Sequence, residues 1–239
     1  MKFKKIVMAT AIIMSSSAAM ADEVKTGLSG AGEAGYSNTT GNTVSESLFA
    51  GIKLDYLQAD YKVKGLIEAN NKKESGVQTA ERYVGDFQAD VFFSDNQKMY
   101  GFGQARWEND RFADIDLSSY YFGGVGYNYF NQKNIVLTVE AGLGYQNVNY
   151  MTAKDFDQGV SKLYANFEYA INANVRFLQD VTEYYGSEQA KFESNTGVKV
   201  KLADSLSMKA SYKYRHNSDP AAGKKNEDTE TLLSVMYDF

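Results

Sequence analysis

The chain of 239 residues has no cysteine, one proline, one histidine and one tryptophan. Without cysteine there is no disulfide framework, no thiol nucleophile and no cysteine-ligated metal. A single histidine also excludes a His-rich zinc site. Scarce proline suits a chain made of many ladder-bonded strands, because proline cannot donate to a ladder. Past the first twenty residues no continuous apolar run is long enough for a membrane helix. No Gly-rich phosphate loop follows a strand-and-helix pattern. No cofactor is implied, and no catalytic set is identified.

The beginning of the chain is an export signal by pattern. Lys2, Lys4 and Lys5 precede the apolar stretch Ile6 to Met14, and Ala19-Met20-Ala21 is a small-residue cleavage site. Residues 1–21 are therefore read as a cleaved signal peptide and residues 22–239 as one mature domain. Removing the signal leaves twenty-two basic and thirty acidic residues, a formal charge of −8. Such an acidic chain is a poor nucleic-acid binder.

Eighteen tyrosines and fourteen phenylalanines are the positive signal. They fall in segments where apolar and polar residues alternate, the period of a strand with two unlike faces. Twelve such segments are predicted: 26–37, 44–56, 61–69, 79–91, 98–108, 119–129, 135–145, 160–169, 175–184, 192–202, 206–215 and 231–239. Each is about the length of a tilted strand crossing a bilayer. The ninth is the least regular, with Gln179 and Glu183 on the face of Val175, Phe177 and Val181. The fifth puts Tyr100 and Phe102 on its polar side. Short connections (57–60, 93–97, 130–134, 170–174, 203–205) alternate with more variable ones, among them 70–78, 109–117, 147–159 and 216–228. The pattern predicts an all-β fold: a transmembrane antiparallel up-and-down β-barrel of twelve strands in the outer membrane of a Gram-negative bacterium. Both termini then lie in the periplasm.

In such a barrel the apolar face meets lipid and the polar face lines the interior. The interior positions include Lys53, Glu68, Arg82, Asp86, Arg106, Glu108, Glu140, Glu168, Arg176, Lys199 and Lys213. Two readings stay open: the charges pair across the lumen and fill it, or they line a narrow wet path. Their mixed sign argues against a strongly ion-selective ring. Val235, Tyr237 and Phe239 end the chain on an outward, aromatic-terminated strand that resembles the recognition signal of barrel-assembly machinery. That strand must pair with the Gly-rich first one, because an open edge in lipid leaves backbone groups unpaired. Partners expected on this reading are outer-membrane lipid, lipopolysaccharide and the assembly machinery. Asp155, Asp157, Glu227 and Asp228 are acidic loop residues whose spacing matches no calcium loop.

One enzymatic alternative is carried. His216 stands beside Asn217, Ser218 and Asp219, residue types used by outer-membrane lipases and proteases. A triad, however, is assembled from distant parts of a fold rather than from adjacent loop residues.

The stretch Tyr36 to Thr43, followed by Glu46 to Leu48 and Leu54 to Tyr56, resembles the opening hairpin of the salt-induced outer-membrane protein family, YdiY-like, also called domain of unknown function 481. Thr79 to Tyr83, Arg106 to Phe112, Gly126-Tyr127 and Glu140 to Tyr145 fit the same family. The resemblance implies an outer-membrane location and a link to salt or osmotic stress. It supplies no substrate and no catalytic residues.

Overall fold

The computed structural model describes residues 26–39 and 45–239. The segment read as a signal peptide, the first strand's loop at 40–43 and Val44 lie outside the described residues. Twelve antiparallel strands close into one barrel: β1 (Gly27–Thr39), β2 (Ser45–Leu57), β3 (Tyr61–Glu74), β4 (Val77–Phe92), β5 (Met99–Asp110), β6 (Ile115–Asn131), β7 (Ile135–Tyr150), β8 (Phe156–Ala170), β9 (Val175–Gly186), β10 (Ala190–Lys201), β11 (Leu206–Asn217) and β12 (Glu227–Asp238). A 3₁₀ turn, Arg111–Ala113, follows β5.

Each strand pairs with its sequence neighbour, and β1 closes on β12. That closing ladder runs from Ala31↔Asp238 to Gly35↔Ser234. Phe239 extends it: its N–H donates to the Gly30 carbonyl at 3.0 Å, and the Gly30 N–H donates to the Phe239 carbonyl at 2.8 Å. The Phe239 ring lies where a Gly30 side chain would be, which explains a glycine at this position.

The outer wall is apolar between two belts of aromatic residues. Tyr36, Tyr83, Trp107, Tyr121, Tyr145 and Tyr185 mark the end away from the termini. Tyr56, Tyr61, Phe93, Tyr129, Tyr169 and Tyr237 mark the end where the termini lie. Tyr121 and Tyr129 sit eight residues apart on β6. At about 3.4 Å per residue and a tilt of about 40°, that is roughly 20 Å of barrel height, close to the apolar band of a membrane barrel.

The strands outrun the sequence expectation at one end. The predicted loop at 70–78 is mostly ladder: β3 and β4 meet through Ser75 and Gly76, both at positive φ (51° and 80°), a two-residue hairpin turn. The loop predicted at 147–159 likewise shrinks to the residues between Tyr150 and Phe156. The physical reason is that alternation in sequence records the lipid boundary. Above it both strand faces meet water, so the alternation fades while the hydrogen-bond ladder continues. The segment between Asn217 and Glu227 does remain a loop, pinned by Asn217 N–H to the Asn226 carbonyl at 2.7 Å.

Candidate functional site in the barrel lumen

The interior is divided. A bar of ion pairs crosses it from β4 and β5 to β10 and β11, strands five or six places apart around the ring. Arg82 reaches Glu108 at 2.7 Å on the adjacent strand and Glu193 at 3.4 Å on the opposite wall. Lys191 returns the contact, at 2.6 Å from Glu108. Arg106 bridges Asp86 at 3.5 Å and Glu193 at 3.1 Å. Arg215 and Asp110, also on opposite walls, stand 3.9 Å apart. Every carboxylate in the bar faces at least one cation, which is the condition for keeping charge out of water.

On one side of the bar, enclosed by β4 to β9, the lumen is packed. Tyr100, Phe102, Tyr120, Phe122, Val160 and Tyr184 form its apolar cluster. The Tyr184 ring lies 4.9 Å from that of Tyr120 and 5.6 Å from that of Phe122. Glu140 holds the polar part together. It accepts from Lys162 at 2.9 Å, Gln88 at 2.8 Å, the Tyr100 hydroxyl at 2.8 Å and Lys64 at 3.3 Å. Lys162 also donates to Gln104 at 2.7 Å and sits over the Phe102 ring at 5.0 Å. An amide ladder closes the end away from the termini: Gln158 donates to Gln146 at 2.7 Å, and Gln146 to the Tyr120 hydroxyl at 2.8 Å.

The other side, enclosed by β10, β11, β12, β1, β2 and β3, is wet. Lys53 is exposed toward the lumen. Lys199 pairs with Asp238 at 2.7 Å, Lys62 with Asp55 at 3.0 Å and Lys213 with Glu68 at 3.7 Å. Here the side chains of Lys213, Glu68, Lys199 and Asp238 are 19%, 25%, 21% and 39% exposed. In the packed side Glu140 and Lys162 are 1% and 3% exposed. Narrowing remains in the wet half: the Lys213 ammonium lies 4.1 Å over the Phe49 ring, and Asn70 donates to Glu230 at 2.6 Å.

The residues singled out in the sequence thus fall into five groups. Arg82, Asp86, Arg106 and Glu108 belong to the bar, and Glu140 to the packed half. Lys53, Glu68, Lys199 and Lys213 border the wet half. Glu168 and Arg176 pair at 3.2 Å at the end of β8 and β9 near the turns. Val235 and Tyr237 face outward on β12, and Phe239, just past its end, is exposed too. Sequence reading left out Lys191 and Glu193, the centre of the bar. Their parity on β10, shared with Lys199, is the one signal that could have found them. It did set Tyr100 and Phe102 on the polar side of the fifth segment, but left out Tyr120, Phe122 and Tyr184 as filling, because an inward tyrosine among outward ones carries no distinct local signature.

His216 does not assemble a triad with its neighbours. Its Nδ1 stands 3.9 Å from Glu227, while the Ser218 hydroxyl accepts from the Ala190 N–H at 2.8 Å. Asn217 accepts from the Asp219 N–H at 3.1 Å. These are the contacts of a polar loop and its strand ends.

Two solved structures share this architecture. The NanC porin is 9% identical, with a TM-score of 0.56 over 89% of this chain and 100% of that one. The COG4313 outer membrane channel from Pseudomonas putida F1 is 7% identical, with a TM-score of 0.55 over 91% of this chain and 97% of that one. Likeness at such identities is likeness of fold. No curated protein matches the sequence. A family model described as protein of unknown function, DUF481, matches residues 32–239.

Proposed function

The chain belongs to the DUF481 family, and from that premise we propose that it is an outer-membrane barrel giving small solutes a narrow, wet passage along one half of its lumen. The observation that carries this is the unequal solvation of the two halves. Along β10 to β3, Lys213, Lys199, Glu68 and Asp238 keep 19–39% of their side-chain surface open to water and even the more enclosed Lys209 and Glu33 keep 10% and 12%, whereas Glu140 and Lys162 keep 1% and 3%. A barrel built only as a plug has no reason to leave one side hydrated. The bar and the aromatic cluster then act as a fixed partition that confines the path to a strip along the wet wall. With lysines and carboxylates both on that strip, selectivity is weak.

The remaining parts of the reading follow from the same geometry. The short turns, the start of β1 and the end of β12 lie at one end, which suits the periplasmic side, and the longer hairpins suit the outer surface and its lipopolysaccharide. The outward aromatic end of β12 suits delivery by assembly machinery. The basic-apolar start of the sequence suits export. A role in the response to osmotic load is proposed with the passage, since the resemblance to salt-induced proteins suits it.

Planar-bilayer recording of the purified chain tests the reading. Discrete small conductance is expected. Lys199→Glu and Lys213→Glu should both shift the reversal potential under a salt gradient toward cation preference. A silent bilayer, or conductance indifferent to both substitutions, overturns it.

A further inference from the structure

We propose that the outer face of β9 and β10 is a contact between two copies of this chain within the membrane. Between the aromatic belts the outer wall is apolar around the ring, with one interruption. Among the described residues Glu183 is the one acidic or basic side chain in that band and Gln179 the one amide. Both lie on β9, on the face of Val175, Phe177 and Val181. Polar groups turned toward lipid are costly in a bilayer, and side-chain hydrogen bonds across a protein–protein contact are the usual place to find them.

The hydrogen-bond inventory points to a second copy. Gln179 Nε2 donates to the Ser194 hydroxyl oxygen at 3.0 Å, and Thr196 donates to Gln179 Oε1 at 2.7 Å. Gln179 Nε2 also donates to the Asp180 carbonyl at 3.1 Å. The amide donors are used, but one lone pair on Oε1 and the Ser194 hydroxyl hydrogen are left over. A two-fold axis along the membrane normal sets residues of equal depth face to face. The Ser194 hydroxyl of one copy then meets the Gln179 carbonyl of the other, and the bond forms twice.

The wall beside the strip has the shape to match. A groove of about 440 Å³ crosses β5 to β9, with Ala141, Ala165 and Glu183 among its lining residues. The same two-fold axis places β10 and β11 of the second copy opposite it. There Tyr212, 48% exposed and paired in register with Thr196, projects from the wall. Its ring fills the groove, and its hydroxyl donates to the Glu183 carboxylate.

The inference rests on the barrel being embedded in lipid, but not on its conducting. Because the chain has no cysteine, single-cysteine cross-linking is unambiguous. Val181→Cys, between Gln179 and Glu183, and Ile52→Cys, on the distant β2 wall, are reconstituted separately into phospholipid vesicles and oxidised. Heat-modifiable migration shows independently that each has inserted as a folded barrel. A disulfide-linked dimer with Val181→Cys but not Ile52→Cys is expected. Adding Gln179→Leu and Ser194→Ala to Val181→Cys should lower dimer formation about tenfold, the scale of two membrane hydrogen bonds. Equal cross-linking at both positions overturns the proposal. So does one copy per lipid nanodisc by light scattering, which leaves lipid chains as the occupant of the groove, or a dimer yield indifferent to the double substitution.

Discussion

Replacing Glu140 with glutamine tests whether half of the lumen is dry. Glu140 is 1% exposed and accepts from four groups, two of them cationic. The substitution keeps the shape and removes the charge. Lys64 still has Asp90 at 2.9 Å. Lys162 is left with neutral acceptors alone, Gln104 at 2.7 Å and the amide oxygen introduced at 140, and with the rings of Phe102 and Tyr164 at 5.0 and 5.2 Å. A buried ammonium is then left without a carboxylate, a loss of about 3–5 kcal/mol when one partner of a buried pair is removed. Glu168→Gln is the matched control. Glu168 and Arg176 are both 29% exposed, and pairs with that access to water contribute about 0–1 kcal/mol.

A double variant separates charge from packing. Glu140→Gln with Lys162→Met removes both charges and should recover most of the loss, to within about 1–2 kcal/mol of the parent, since an apolar replacement of a buried pair is often near neutral. Stability is read by urea titration in lipid vesicles, through loss of the heat-modifiable band. Fluorescence of Trp107, the chain's one tryptophan and an outward residue of the aromatic belt, gives a second probe. Equal losses for Glu140→Gln and Glu168→Gln would refute the reasoning, because water would then be reaching Glu140. A double variant as unstable as the single one would show that packing, not charge, sets the cost.

Deleting Phe239 removes both hydrogen bonds to Gly30, the last step of the β1–β12 ladder; folded, heat-modifiable protein in the outer membrane should fall, and wild-type levels contradict this. Gly144→Ala should destabilise the barrel by about 1–3 kcal/mol, because the new methyl meets the Tyr121 carbonyl oxygen, whereas Gly103→Ala, with open space around it, should stay within about 0.5 kcal/mol by the same titration. Burial pushes the Asp114 carboxyl up, but bonds from the Thr152 hydroxyl and the N–H groups of Thr152 and Ala153 prevail and hold it below the usual carboxylate range. Its folded value being the lower one, the loop contact is at full strength above about pH 4 and is lost as pH falls through that folded value. Amide exchange at Thr152 and Ala153, corrected for intrinsic rates, should show protection declining there, and protection unchanged down to pH 2 would contradict it.

The twelve strands are legible in the sequence because lipid imposes a strict demand on one face. Leu233, Val235 and Tyr237 must be apolar if they point outward, so the alternation is visible without any partner strand. Legibility ends where lipid ends. Asn71, Lys72 and Lys73 pair in register with Glu81, Ala80 and Gln78, yet no alternation marks them, since both faces are in water. The irregular ninth strand was visible for the opposite reason: Gln179 and Glu183 break the lipid demand where the chain otherwise satisfies it.

The lumen is harder to read, and the cause is distance along the chain. Parity shows that Arg82 and Glu193 both point inward, but 111 residues separate them. Their meeting depends on the ring closing at twelve strands, which sets β4 against β10. No local pattern carries that fact; one strand more or fewer would give Arg82 a different partner. Aromatic residues compound the difficulty. Tyr100 is inward and hydrogen-bonded to Glu140, and Tyr121 is outward in the belt; the sequence around each is the same mixture of glycine and aromatic residues. What separates them is strand parity alone: Tyr100↔Gly126 and Ala105↔Tyr121 lie in one unbroken β5–β6 register, and Tyr120 and Phe122, on either side of Tyr121, turn inward. The division into a packed half and a wet half is therefore a property of closure: the same inward charges, set at a different strand number, would not cross the lumen as one bar.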